Sequence, residues 1–190
     1  MMRSAYALAY ATLLLIGQAG SPAAACGYDG LYGNPLQAVY PGSISLAVAT
    51  RTAVEQRLIP AIAPLNGSSG LFRSQVWLQT LRDKLEKQGF SGSMALLLVD
   101  SGLWARYRTR PAEQQAQPGN GVQLEPHVAG PDDDEWIVMT TEAALSALLA
   151  GQIDIDAARQ AGLIRFQRTD AIPTMERALR RGTPVTHPPA

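Results

Sequence analysis

The hydrophobic pattern of the chain changes period near its middle, and this change restricts the folds that the chain can adopt. In residues 71–88 the apolar side chains recur at helical spacing within an arc of about 120°, which predicts a core-facing surface helix. Residues 93–99 and 103–108 are strand-like, because apolar side chains of the second segment alternate with tryptophan and arginine. The three residues 100–102, Asp-Ser-Gly, are typical of a hairpin turn. The sequence therefore predicts a helix followed by a β-hairpin.

Capping residues, glycines and prolines predict the remaining elements. The predicted helices are one over 44–59 ended by Pro60, one capped by Thr140 or Thr141 and ended by Gly151, one capped by Asp154 and ended by Gly162, and one over 173–181. The further predicted strands cover 122–128, 135–140 and 163–167, and Pro126 confines the first of them to a sheet edge or to its own end. This order indicates an α+β packing of layers and not alternating βαβ units.

The composition excludes several classes of function. The chain has 190 residues, a length that fits one ordinary domain plus processing segments. Its 16 basic and 16 acidic side chains balance, so no bulk charge favours nucleic acid or an anionic membrane surface. The single cysteine excludes an intramolecular disulfide framework and a cysteine-rich zinc or iron–sulfur site.

The N-terminus has the pattern of a signal peptide. Arg3 is followed by an apolar run over residues 5–17, which is shorter than the roughly 20 residues that span a bilayer. Ala23 and Ala25 form the small-x-small pattern that signal peptidases cleave. We therefore expect residues 1–25 to be removed and the mature protein to be periplasmic or secreted.

Cys26 would then be the first mature residue, which leaves two interpretations open. In one, the thiol is lipidated and anchors the protein to a membrane. In the other, cleavage is ordinary and the thiol stays unpaired. Lipoprotein signals usually place leucine three residues before the cysteine, whereas this chain has Ala23 there and polar residues between the apolar run and Cys26.

The mature chain is predicted to have three parts. Residues 26–60 form an irregular arm, which is rich in Gly, Pro and Tyr over 26–43, and a helix that follows it. Residues 61–182 form the α+β domain, and residues 183–190 form a disordered tail. The arm contains Tyr28, Tyr32 and Tyr40, which pack either on the domain or on a partner protein.

Residues 142–166 (EAALSALLAGQIDIDAARQAGLIRF) resemble the end of the sterol carrier protein type 2 domain. That family has an apolar helix ending in glycine, a spacer with aspartate, a second short helix with alanine, then glycine and a strand. The residues at those places are Gly151, Asp154, Ala157, Ala158, Gly162 and Phe166. The resemblance extends over about residues 70–182. It departs at residues 168–170, where the family often repeats Gly-Asp, and residues 26–60 have no counterpart.

The resemblance implies one curved, mostly antiparallel sheet of about five strands that encloses, with its helices, an apolar tunnel for sterol, fatty acyl or other hydrophobic molecules. The candidate lining residues are Trp104, Met139, Leu145, Leu148, Leu149, Phe166, Met175 and Leu179; filling of an ordinary core is the alternative for each. Arg106 and Arg108 are candidates for binding an anionic head group, and an exposed hairpin face is the alternative explanation.

The chain lacks the usual signatures of catalysis. It has two histidines, His127 and His187, with no second ligand at metal spacing, and the acidic residues 132–135 lack the spaced ligands of a calcium loop. It has no G-x-S-x-G motif and no phosphate-binding loop. We therefore predict that the protein is not an enzyme and has no cofactor or metal. The two functions left open are a carrier of a hydrophobic small molecule and a ligand-free module whose arm 26–43 docks on a periplasmic partner. An enzyme that uses Cys26 is a third hypothesis.

Overall fold

The computed structural model describes residues 40–65, 67–110, 121–168 and 172–179. The helices in these ranges are α1 (Ser43–Glu55), α2 (Gly67–Lys87), α3 (Glu142–Leu149), α4 (Ile155–Gln160) and α5 (Ile172–Leu179). The strands are β1 (Ser93–Leu98), β2 (Leu103–Thr109), β3 (Val122–Val128), β4 (Trp136–Thr140) and β5 (Ile164–Phe166). The predicted order of helices and strands is confirmed. The predicted signal peptide, the arm up to residue 39 and the tail lie outside the described ranges.

Two helix boundaries differ by four residues from those predicted. Helix α1 ends four residues before Ile59, because Arg57 takes a left-handed backbone conformation and the N–H of Leu58 turns back to the carbonyl of Ala53 at 2.8 Å. Helix α2 begins at Gly67, within the predicted loop, and buries Gly70 in its first turns. Among the described residues, no helix combines the length and the apolar character needed to cross a membrane.

The five strands form one sheet in the order β3-β2-β1-β4-β5. The pairs β1–β2, β2–β3 and β4–β5 are antiparallel, whereas β1 and β4 are parallel. The predicted α+β class with a mostly antiparallel sheet is thus confirmed, with one parallel pair at its centre.

The connection between β3 and β4 crosses one face of the sheet. Because β3 and β4 both run parallel to β1, residues 129–135 must return along the strands and pass β2 and β1. Connections between parallel strands usually need about a dozen residues or more. This one has seven residues, and Arg106 of β2 holds it through the carbonyl of Gly130 at 3.1 Å and the carboxylate of Glu135 at 2.6 Å.

The sheet has an apolar cluster on each face. The larger cluster contains the inward residues of β1 and β2 and side chains of α2, α3, α4 and α5; within it the Tyr107 hydroxyl donates to the Leu78 carbonyl at 3.1 Å. The smaller cluster, on the other face, contains Leu46 of α1 with Leu97, Val99, Ile137 and Met139. Since Ala53 of α1 belongs to the larger cluster, α1 packs directly on the domain that was predicted to begin at residue 61.

Candidate functional site

A groove of about 630 Å³ lies at the open edge of the sheet, beside β5. It is bounded by the segment before α1, by β4 and β5, by α4 and by the first residue of α5. The apolar lining residues are Tyr40, Pro41, Met139, Ile164, Phe166 and Ile172, and the polar ones are Asp156, Arg159, Gln160, Arg165 and Gln167. The lining thus combines apolar and polar side chains, as small-molecule sites commonly do.

The groove extends around the edge strand. Met139 of β4 is the register partner of Arg165, so both side chains lie on the face of the smaller cluster. Ile164 and Phe166, on either side of Arg165 in β5, lie on the face of the larger cluster. Because β5 is the last strand of the sheet in the described ranges, side chains from both of its faces reach the same groove.

Tyr40 closes one end of the groove against the sheet. Its ring meets the Trp104 ring edge-on, with centroids 5.5 Å apart, and its hydroxyl donates to the side chain of Gln167 at 2.7 Å. Of the two interpretations of the arm tyrosines, Tyr40 therefore follows the one in which they pack on the domain. Tyr28 and Tyr32 lie outside the described residues.

The two cations of the groove differ in their surroundings. Arg159 donates to Glu176 at 2.8 Å and lies 3.7 Å from Asp156, so acidic neighbours offset its charge. Within the described ranges, no carboxylate lies within 4.0 Å of the Arg165 guanidinium, and that side chain is exposed.

The structure places the eight predicted lining residues in different parts of the fold. Of the eight candidates, Met139 and Phe166 line the groove. The other candidates lie elsewhere: Leu145, Leu148, Met175 and Leu179 are buried in the larger cluster, Leu149 packs against that cluster, and Trp104 packs against the smaller one. Helical and strand periodicity places a residue in a core, but it does not distinguish a filled core from the wall of a cavity.

The two predicted head-group arginines take part in an internal network instead. Arg106 contacts Glu135 at 2.6 Å, Asp132 at 2.8 Å and the carbonyl of Gly130 at 3.1 Å. Arg108 pairs with Asp132 and lies 3.5 Å from Glu135. The Nε and Nη2 donors of Arg106 are thus directed to the connection between β3 and β4.

The remaining candidates are the two histidines, the acidic residues 132–135 and Cys26. In the parts of the chain that the structure describes, no group of three His, Cys, Asp or Glu residues could hold a metal ion. His127 is exposed on β3, and Asp132 and Glu135 of the acidic run pair with arginine. Cys26 and His187 lie outside the described residues.

Sequence reasoning did not select Arg165 or Gln167. Alternation along β5 could have placed Arg165 opposite Ile164 and Phe166, but the short strand has no local signal that it is an edge. That it is an edge depends on the strand order, which juxtaposes β5 with α4 and with Tyr40.

A second polar cluster lies at the N-terminus of α3, away from the groove. The carboxylate of Glu142 is 6% exposed and lies 3.0 Å from Nη2 of Arg73. Asp100 accepts the backbone N–H of Glu142 at 3.0 Å, and the Arg73 guanidinium lies 5.1 Å from the Trp77 ring. Burial raises the pKa of Glu142 from its ordinary 4.5 to about 7.

This pKa predicts a pH dependence of stability. Because the folded value lies above the unfolded one, the contribution of Glu142 is full below pH 4.5 and is lost as the pH rises through about 7. We expect the free energy of unfolding to fall by about 1–2 kcal/mol over this range, less than the full linkage value because Arg73 stabilises the carboxylate. Urea titrations of the wild type and of Glu142→Gln at several pH values measure it. If the free energy of unfolding depended on pH equally in both proteins, the raised pKa would not belong to Glu142.

Comparison with known proteins gives a limited result. No protein-family model matches the sequence, and no curated protein matches it. A solution structure of a conserved hypothetical protein from Thermus thermophilus, described as a candidate sterol carrier protein, is similar with a TM-score of 0.37 and 14% identity, over 55% of this chain and 82% of that one. A crystal structure of sterol carrier protein 2 is similar with a TM-score of 0.36 and 16% identity, over 56% of this chain and 87% of that one. The second belongs to the family that residues 142–166 resemble, and the first is described as a candidate member of it.

Proposed function

We propose that this protein binds a hydrophobic small molecule of the lipid class in the groove beside β5. The observation that supports the proposal is the groove itself: about 630 Å³, with an apolar wall that includes Met139, Phe166 and Ile172. Sites for small molecules are typically concave, largely apolar and about 300–1,000 Å³ in volume.

The mechanism is burial without a chemical step. Apolar surface that leaves water contributes about 25 cal/mol per Å², from which the cost of immobilising the ligand is subtracted. The polar residues at one side of the groove, such as Gln160 and Gln167, keep the polar end of an amphipathic molecule hydrated while its apolar end is buried.

We further propose that the protein is exported and acts in the periplasm or outside the cell. The support is the pattern of residues 1–25, with its apolar run and the Ala23-x-Ala25 cleavage signal. A lipid on Cys26 would anchor the domain to a membrane; ordinary cleavage would release it.

A partner-binding module is the second candidate function. It is supported by two large apolar residues on α1, close to the arm: Ile44 and Val48, one helical turn apart, are 53% and 60% exposed. In this case the arm 26–43 and the outer side of α1 would contact a periplasmic protein, and the groove would carry no ligand.

The test is mass spectrometry of protein expressed with its own N-terminus, under native and then denaturing conditions. We expect a small lipid that is lost on denaturation. Gln160→Trp should prevent its retention, because Gln160 is exposed on α4 and a tryptophan there fills the groove. Gln79→Trp, on the exposed side of α2, is the matched control and should retain the lipid.

Two results would contradict the groove assignment. A lipid retained equally by Gln160→Trp and by the control would place the ligand elsewhere. Protein that stays free of ligand, even after incubation with a total lipid extract, would favour the partner-binding function. The denatured mass also reports on Cys26, because an acyl adduct means an anchored lipoprotein.

A further inference from the structure

We infer that the ligand of the groove carries an anionic head group and that Arg165 binds it. The inference rests on the proposed binding function and adds the chemical class of the ligand. The class is an amphiphile with one apolar chain and a carboxylate or phosphate head.

The first step is the position of the Arg165 side chain. A Cβ on residue 42 would lie 3.0 Å from Nη1 of Arg165 and 3.7 Å from Cε of Met139. The guanidinium therefore lies against the backbone of Gly42, and the methyl group of Met139, which also lines the groove, approaches the same glycine. A head group at Arg165 would leave the attached chain next to Met139.

The second step is the charge around this guanidinium. Asp156 and Arg159, which also line the groove, form an ion pair with each other, and Arg159 contacts Glu176 as well. The first turn of α1, next to Gly42, contains no acidic residue. Within the described part of the chain, the charge of Arg165 is thus left without a carboxylate neighbour, whereas Asp156 and Glu176 offset the charge of Arg159.

The third step is the chemistry that such a cation recognises. A guanidinium donates two parallel hydrogen bonds to a carboxylate or phosphate, and such charge-assisted bonds are about twice as strong as neutral ones. Arg106 and Arg108, the arginines selected from the sequence, already direct their donors to Glu135 and Asp132. We therefore assign the head-group site to Arg165 of β5 and not to the arginines of β2.

The experiment compares three probes that share a twelve-carbon chain: dodecanoate, dodecyl phosphate and dodecanol. Isothermal titration calorimetry measures each against the wild type, Arg165→Gln and the control Arg51→Gln. Arg51 is an exposed arginine on α1 that pairs with Glu55 and does not line the groove. We expect at least one of the anionic probes to bind the wild type about tenfold more tightly than dodecanol does.

Arg165→Gln should reduce the affinity for that anion to the level of dodecanol and leave dodecanol binding unchanged, whereas Arg51→Gln should change neither. A preference for dodecanoate identifies a carboxylate head, and a preference for dodecyl phosphate identifies a phosphate head. Equal binding of all three probes, unaffected by Arg165→Gln, would overturn the head-group inference and retain the apolar site. No binding of any probe would overturn the proposed function itself.

Discussion

Replacing Glu135 by glutamine is expected to lower the free energy of unfolding by about 2–3 kcal/mol, because Asp132 at 2.8 Å still faces the Arg106 guanidinium. The Glu135 side chain is 2% exposed, accepts hydrogen bonds from Arg106 at 2.6 Å and Ser93 at 2.5 Å, and binds the N–H of Asp132 at 2.9 Å. A neutral amide at this position leaves the buried Arg106 guanidinium without its principal counter-charge. The loss should appear as a lower urea midpoint.

The control for this experiment is Glu125→Gln. Glu125 lies 3.8 Å from the same guanidinium but is 37% exposed, so its removal should cost about 1 kcal/mol or less. Replacing the pair together, as Arg106→Met with Glu135→Leu, should recover much of the lost stability, because the uncompensated charge is then absent. Equal losses for the two glutamate variants would contradict the importance of burial.

The same residue predicts an acid dependence. Burial acts to raise the pKa of Glu135, but hydrogen bonds from Arg106 and Ser93 outweigh it and hold the pKa below the ordinary value of 4.5. The group therefore contributes stability above pH 4.5 and loses that contribution as the pH falls through its folded pKa. The difference in the free energy of unfolding between the wild type and Glu135→Gln should therefore become smaller as the pH falls below 4.5.

Replacing Leu148 by alanine is expected to cost about 2–5 kcal/mol of stability while leaving binding in the groove unchanged. Leu148 is 1% exposed in the larger cluster and does not line the groove, so the substitution leaves a cavity inside a packed core. Thermal or urea unfolding measures the first effect. Titration of a lipid probe at a temperature where the variant is folded measures the second.

Leu149→Ala is the matched control for Leu148. The two leucines are neighbours on α3, but Leu149 is only partly buried, so its truncation should cost distinctly less. A large loss of lipid binding in folded Leu148→Ala would instead support the tunnel that the sequence resemblance implied, with Leu148 on its wall.

Most of the elements could be predicted because their signals are local. Thr141 accepts the N–H of Ala144 at 3.3 Å and Asp154 accepts that of Ala157 at 2.7 Å, so the two predicted helix caps are confirmed. The end of α1 was less predictable, because a non-glycine residue, Arg57, takes the left-handed conformation.

Only a small part of the candidate site could be predicted, because the features that define it are not local in the sequence. Met139 and Phe166 were named because the family resemblance implied an apolar tunnel, and the same reasoning selected Leu145 and Leu148, which lie in the filled core. What distinguishes the first pair is their position beside the free edge of β5. Arg165 could not be distinguished from Arg106 on the sequence, because the partners of Arg106 come from residues 130–135, which only the crossing connection brings near.

The sequence by itself determined the α+β class, the order of the elements and the residues that face a core, because hydrophobic period and caps act over one or two turns of chain. The tertiary structure alone decided that β4 lies parallel to β1 and that β5 is an edge. It also decided which arginines are paired with acidic residues, and that of the two arginines at the groove Arg159 is paired whereas Arg165 has no described carboxylate within 4.0 Å. These features depend on contacts between residues that are far apart in the chain. The free energies of such contacts cannot be inferred from a local sequence pattern.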